Sequence, residues 1–196
     1  MPRVTALRQD RARTHVLVEL DGAPWRRIPI EIAVRTGLAV DVELDRPELR
    51  RLRRELRRAE ALDLAVRALR HRDRSRATLR ERLARAGVAR AACEEALDTL
   101  TRSGIVDDER FARARANSLA ARDSGDGLIS ADLLAAGVPD ETTAAAIAEL
   151  EPERDRAATV VAARGETMST ARWLAGRGFS EDAIEAALPR VVADDA

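Results

Sequence analysis

Residues 78–100, TLRERLARAGVARAACEEALDTL, decide the fold. Leu79, Leu83 and Ala86 recur at helical spacing up to Gly87, and a glycine just past a last turn takes the left-handed conformation that ends a helix. Cys93, Ala96, Leu97 and Leu100 then resume the period as a second helix. The same helix-glycine-helix pattern returns in LISADLLAAGVPDETTAAAIAEL (128–150) and in STARWLAGRGFSEDAIEAALPRV (169–191). Superposing Gly87, Gly137 and Gly178 brings Leu83, Leu133 and Leu174 into one column and Val88, Val138 and Phe179 into the next. Downstream, Cys93, Ala96, Leu97 and Leu100 align with Thr143, Ala146, Ile147 and Leu150, and with Ile184, Ala187, Leu188 and Val191. Such self-similarity predicts repeats that bury their apolar faces against one another.

Working outward, each unit has a helical stretch before it, near 60–70, 108–122 and 153–164, which makes every repeat three helices long. Capping residues support the division. Ser75 stands where the helix through Leu79 begins, and Asp107 precedes Asp108 and Glu109 in a first turn where negative charge is favoured. Val106 can staple against Phe111, and Ser180 precedes Glu181 and Asp182 in the same way. The repeats are placed at 60–106, 107–151 and 152–196. Before them, Asp45 and Pro47 open a helix over 46–59 with Leu49, Leu52 and Leu56 on one stripe and arginines elsewhere, a basic linking segment. Residues 1–45 read differently: THVLVEL alternates, stops at Asp21-Gly22, and is followed by a short run from Trp25 to Ile30, which predicts a small β-hairpin module. The expected class is mostly α, with three tandem three-helix repeats in an elongated curved array and this N-terminal hairpin.

Composition agrees with thin, closely packed helices, since the 196 residues hold only two Trp, two Phe and no Tyr. All 34 basic side chains are arginine; the absence of lysine excludes a Walker A loop, a Schiff-base lysine and a Ser-Lys dyad. A single cysteine excludes an intrachain disulfide, and with two histidines it cannot supply a usual zinc ligand set, so no metal or other cofactor is expected. No run approaches the length of a membrane span, and MPRVTALRQDR at the start lacks a signal-peptide apolar region, which predicts a cytoplasmic protein with no membrane partner. The formal net charge of zero conceals a strong asymmetry: 7 Arg against 7 acids in 1–45, 16 against 6 in 46–90, and 11 against 21 in 91–196. The middle segment therefore calls for a nucleic-acid or acidic partner.

Few residues invite a chemical role. Cys93 lies on an apolar stripe and reads as a buried structural thiol. His15 and His71 have no partner at triad or metal spacing, and adjacent Asp107 and Asp108 point about 100° apart on a helix with no third carboxylate at a ligand interval. Trp25 and Trp173 are isolated, unlike the clustered aromatics of single-strand platforms. The basic run RHRDRSR (70–76) is different, because ordinary solvated faces interleave both signs. Arg54, Arg57, Arg58, Arg70, Arg72, Arg74, Arg76, Arg80, Arg82 and Arg113 are the candidate contacts to phosphate or an acidic surface. Gly87, Gly137, Gly178, Leu83, Leu133, Leu174, Asp107, Asp108 and Phe111 are structural positions of the repeats. No nucleophile stands with a base, so an enzyme is disfavoured and no small-molecule ligand is expected. A free-standing DNA-binding protein and a purely structural helical scaffold remain open.

The segment ALDLAVRALRHRDRSRATLRERLARAG, beginning at Ala61, resembles the first repeat of the RecX family, in which a helix, an Arg-rich turn, a capping Ser and a Leu-containing helix precede a glycine. SGIVDDERFA (103–112) is similar to the family's junction of glycine, two apolar residues, two aspartates and an aromatic, and LVELDGAPWRRIPIEIAVRTGL resembles its N-terminal hairpin. The resemblance implies a modulator of RecA, generally an inhibitor, that lodges in the groove of the RecA–DNA filament and depresses ATPase and strand-exchange activity in recombinational repair and the SOS response. The implied partners are the RecA filament and the DNA within it. One stretch departs from the family: RDSGDGLISADLL (122–134) carries Asp126 and Asp132 where a basic approach is usual, which shifts the expected contacts toward the first repeat.

Overall fold

Alternation at His15–Leu20 produces a central strand, and the turn after it is built as the Asp21-Gly22 pair requires, with both residues at positive φ (51° and 79°). A computed structural model describes residues 1–70 and 72–189. In it β2 (His15–Leu20) pairs antiparallel with β3 (Ala23–Pro29) and, on its other side, with β1 (Val4–Gln9). The expected hairpin is thus a three-stranded sheet. β1 escapes a pattern search because it contributes one fully buried side chain, Val4, which meets Val18 and Ile28 in the core. The outer edge of β1 is closed in part by Val4 N–H donating to the Val42 carbonyl (2.9 Å) and Asp41 N–H donating to that of Val4 (2.8 Å).

A short helix, α1 (Ile30–Arg35), follows the sheet and was not foreseen; Pro29 stands at its N-cap and Gly37, at φ 69°, turns the chain out of it. The long α2 (Arg46–Leu69) corrects the expected break near residue 60. Asp45 and Glu48 form a reciprocal capping box, with Glu48 N–H donating to Asp45 Oδ1 (2.6 Å) and Asp45 N–H to Glu48 Oε2 (2.7 Å). From there the buried stripe runs on through Leu52, Leu56, Ala61, Ala65 and Ala68, with no glycine or proline to interrupt it. A change in composition from leucine to alanine is not a change of helix.

The repeat helices are α3 (Arg76–Arg85) and α4 (Arg90–Arg102), α5 (Asp108–Ala120), α6 (Asp126–Ala135) and α7 (Asp140–Ala148), then α8 (Glu153–Arg164), α9 (Met168–Gly176) and α10 (Glu181–Ala187). The glycine columns are realised as three copies of one helix ending. Gly87, Gly137 and Gly178 have φ of 78°, 72° and 81°. After each, the next residue donates its N–H five positions back: Val88 to Leu83, Val138 to Leu133 and Phe179 to Leu174, all at 3.1 Å. Leu83, Leu133 and Leu174 are fully buried, as the column demands. Val191, in the last column, and His71 lie outside the described residues.

The chain divides into two units, one of Met1–Arg67 with Leu83–Thr99, the other of Ala68–Arg82 with the residues from Leu100 onward. In the first, the sheet, α1 and α2 enclose Val4, Val18, Ile28, Ile32, Leu52 and Leu56, while Ala61, Ala92 and Ala96 form a smaller cluster. In the second, Ala112, Ala116, Ile129, Leu133 and Val138 make one cluster and Val160, Leu174, Phe179 and Leu188 belong to another.

Candidate nucleic-acid interface

Helix α2 owes its surface charge to where its acids go. Glu55 pairs with Arg35 (3.5 Å), Glu60 with Arg26, Asp63 with Arg67 (2.9 Å), and Glu48 is spent in the capping box. Arg54 and Arg57 are exposed and have no ion-pair partner among the described residues, so their charge faces outward unmatched. Arg58 behaves differently: half-buried, it donates Nη2 to Thr99 Oγ1 (3.2 Å), and its buried Nε has no hydrogen-bond partner among the described residues.

In the second unit the Arg-rich turn splits into two kinds of side chain. Arg70 and Arg72 are exposed, as are Arg80 and Arg82 on α3, whose other face buries Leu79. Arg74 and Arg76 are half-buried and hold the turn together. Arg74 donates Nε to the Ala68 carbonyl (3.1 Å) at the end of α2, where a cation is favoured by the helix dipole, and Arg76 donates Nη1 to Thr101 Oγ1 (3.1 Å). Ser75, fully buried, caps α3 by accepting from Thr78 N–H (3.1 Å) and donates its own proton to the Ala136 carbonyl. Arg113 stands apart from these arginines, 3.8 Å from Glu149 in a cleft also lined by Glu109 and Glu141.

The capping aspartates divide their labour in a way that spacing does not disclose. Asp107 accepts from Arg110 N–H (2.9 Å) and caps α5, as its position predicts. Asp108 instead accepts from Arg76 N–H (2.7 Å) and so completes the start of α3, 32 positions away in the chain. Cys93 is buried, and no group of three potential ligands is placed to hold a metal among the described residues.

The two acids of segment 122–134 are matched from within. Asp132 accepts Nε and Nη2 of Arg115 (2.8 and 2.7 Å), and these hydrogen bonds hold its carboxyl below the usual range against the opposing effect of burial. Asp126 pairs with Arg156, whose buried guanidinium also serves the Ser124 carbonyl (2.7 Å) and that of Glu151 (3.0 Å). Burial, then the nearby Glu153, push the Asp126 carboxyl upward. These partners lie on other elements, which is why the sequence showed only two unexpected acids.

Sequence reasoning also missed a cleft of about 500 Å³ among the Arg72–Arg74 turn, α3, α5 and α6. Phe111, Ala114, Arg115 and Ser118 line it from one face of α5, at helical spacing of three and four. That spacing was legible; the small residues opposite, Ala135 and Ala136, that leave the space were not.

Comparison with known proteins places this geometry. Residues 61–100 match the first three-helix domain of RecX and residues 107–147 match the second. The regulatory protein RecX of Halorhodospira halophila is 32% identical over 143 residues, 68% of this chain and 89% of that relative. That of Thermus thermophilus is 38% identical over 122 residues, 62% and 84% of the two chains. A crystal structure of a regulatory protein RecX shares the fold with a TM-score of 0.78 at 17% identity, covering 95% of this chain and 98% of the other. RecX from Lactobacillus salivarius superposes with a TM-score of 0.61 at 16% identity, over 70% and 97%. No helix among the described residues is long and apolar enough to cross a membrane. With its two RecX helical domains and relatives that are named as regulators and not as enzymes, the chain belongs to the RecX family of regulatory proteins.

Proposed function

We propose that the chain is a non-enzymatic, cytoplasmic regulator that docks on the RecA–DNA filament and lowers its ATPase and strand-exchange activity. The observation that carries this reading is the fate of the acids in the cationic segment. Every acid of α2 is engaged internally, whereas Arg54, Arg57, Arg72 and Arg82 are exposed with no ion-pair partner among the described residues. Unmatched arginines of this kind neutralise phosphates without reading sequence. Within the second unit, Arg70 and Arg80 are exposed on the turn and α3 beside Arg72 and Arg82, and Arg74 and Arg76 hold that turn through the contacts described above, as Arg58 holds α2 through Thr99 in the first unit. Arg113, paired with Glu149 and set among glutamates, is not assigned to DNA.

Titrating the protein into RecA on single-stranded DNA, with ATP hydrolysis as readout, tests this. Inhibition at substoichiometric protein is the expected result. A second reading, a DNA binder with no need of RecA, draws on the same exposed arginines; unchanged hydrolysis combined with salt-sensitive binding to bare DNA would favour it and reject the first.

A further inference from the structure

The cleft of the second unit combines a carbon floor with a cationic lip. Phe111, Ala114, Ala135 and Ala136 supply the floor, and Arg72 and Arg74 supply the lip. Phe179, the other phenylalanine, is buried in a core cluster, whereas Phe111, which packs against the cluster of Ala112, Ala116 and Ile129, is half-buried and lines the cleft. Arg115 and Asp132, also in the lining, neutralise each other through their two hydrogen bonds, and Arg74 is engaged with the Ala68 carbonyl, which leaves exposed Arg72 as the outward-facing cation of the lip, next to Asp73. The volume, about 500 Å³, falls in the range of sites that take drug-sized ligands.

We propose that this cleft receives one unstacked nucleobase of a bound single strand, with Phe111 as the stacking surface and Arg72 at the adjoining phosphate. The inference rests on the DNA-contact reading above and deepens it. An aromatic face beside arginine is the combination that holds unstacked bases, tolerant of base identity because every base has a π-face. The exposed Arg72 at the lip favours an anionic linkage, and it belongs to the same turn as Arg70, which continues onto α3 with Arg80 and Arg82. The Asp132 carboxylate and the Ser118 hydroxyl give the base's edge an acceptor and a donor within the same lining.

Fluorescence anisotropy with two labelled oligonucleotides of equal length, one of ordinary bases and one abasic, tests the assignment on the full chain. The wild type is expected to bind the base-bearing strand roughly 5- to 150-fold more tightly, the range of one base stacked on an aromatic. Phe111→Leu is expected to retain its helical circular dichroism and to bind both strands alike. Ala114→Leu, a change at an exposed position that fills the floor, is expected to erase the preference as well. Equal affinity of the wild type for both strands overturns the base site while leaving the phosphate contacts standing. Binding to neither strand overturns both the site and the DNA contact. Tighter binding of an acidic peptide carrying one leucine, weakened by Phe111→Leu and without any base preference, assigns the cleft to a protein partner and overturns the proposal.

Discussion

Asp132 shows how a residue that looks anomalous in sequence becomes ordinary once its partner is known. Its bidentate bond to Arg115 favours the ionised form, so the folded-state pKa lies below the unfolded one. A carboxylate depressed in this way stabilises the fold above its unfolded pKa, near 3.8, and loses that contribution as pH falls through the folded value. Asp132→Asn is therefore expected to lower the urea midpoint at pH 7, and the gap to the wild type is expected to close as the pH is taken below about 4. A gap that stays constant with pH would contradict the assignment. Residues whose partners are near in sequence were legible. Ser75, Asp107 and Ser180 all cap the helices they precede, the last by accepting from Ala183 N–H (3.3 Å). Asp108, Asp126 and Asp132 were not, because their partners Arg76, Arg156 and Arg115 are fixed by tertiary packing and no local spacing reveals them.

Among elements, the glycine-ended helices carry the repeat, but the three glycines do not bear the same load. Gly87 has φ 78° and open space where a Cβ would stand, so Gly87→Ala meets only the strain of the left-handed conformation, about 1–2 kcal/mol. Gly178 has the same φ class, yet a Cβ there would lie 2.5 Å from the Leu128 backbone nitrogen. The two segments are joined by Gly127 N–H donating to the Gly178 carbonyl (3.0 Å) and Gly125 N–H to that of Arg177 (2.9 Å). Glu153 ties the same region, accepting from Asp126 N–H (2.6 Å) at the start of α6 and from the Ser180 hydroxyl (2.6 Å) at the start of α10. Gly178→Ala is accordingly expected to cost clearly more than Gly87→Ala in urea unfolding; equal losses would contradict the close approach. The helix endings could be read in sequence because one motif recurs in register. β1, α1 and the continuity of α2 could not: a strand with one buried residue carries almost no periodic signal, and an alanine stripe in a helix looks like a boundary when leucine is the marker.

At the scale of the whole molecule, the zero net charge is the sum of a balanced N-terminal part, a cationic middle and an acidic remainder. Internal pairing engages the acids of α2 and matches Asp126 and Asp132 within the second unit, which leaves Arg54 and Arg57 on α2, and Arg72 and Arg82 in the second unit, exposed without an ion-pair partner among the described residues. Electrostatic attraction of this kind is screened within about 10 Å at 0.1 M salt, so binding to phosphate should weaken steeply as salt rises. The most direct measurement is inhibition of RecA's DNA-dependent ATP hydrolysis by the wild type and by a variant with Arg54, Arg57, Arg72 and Arg82 replaced by Gln, both verified as folded by circular dichroism. The account predicts that the variant needs at least about tenfold more protein for half-inhibition, a loss of about 1.4 kcal/mol or more, and that raising the salt narrows the difference. Half-inhibition at the same concentration for both proteins would contradict it.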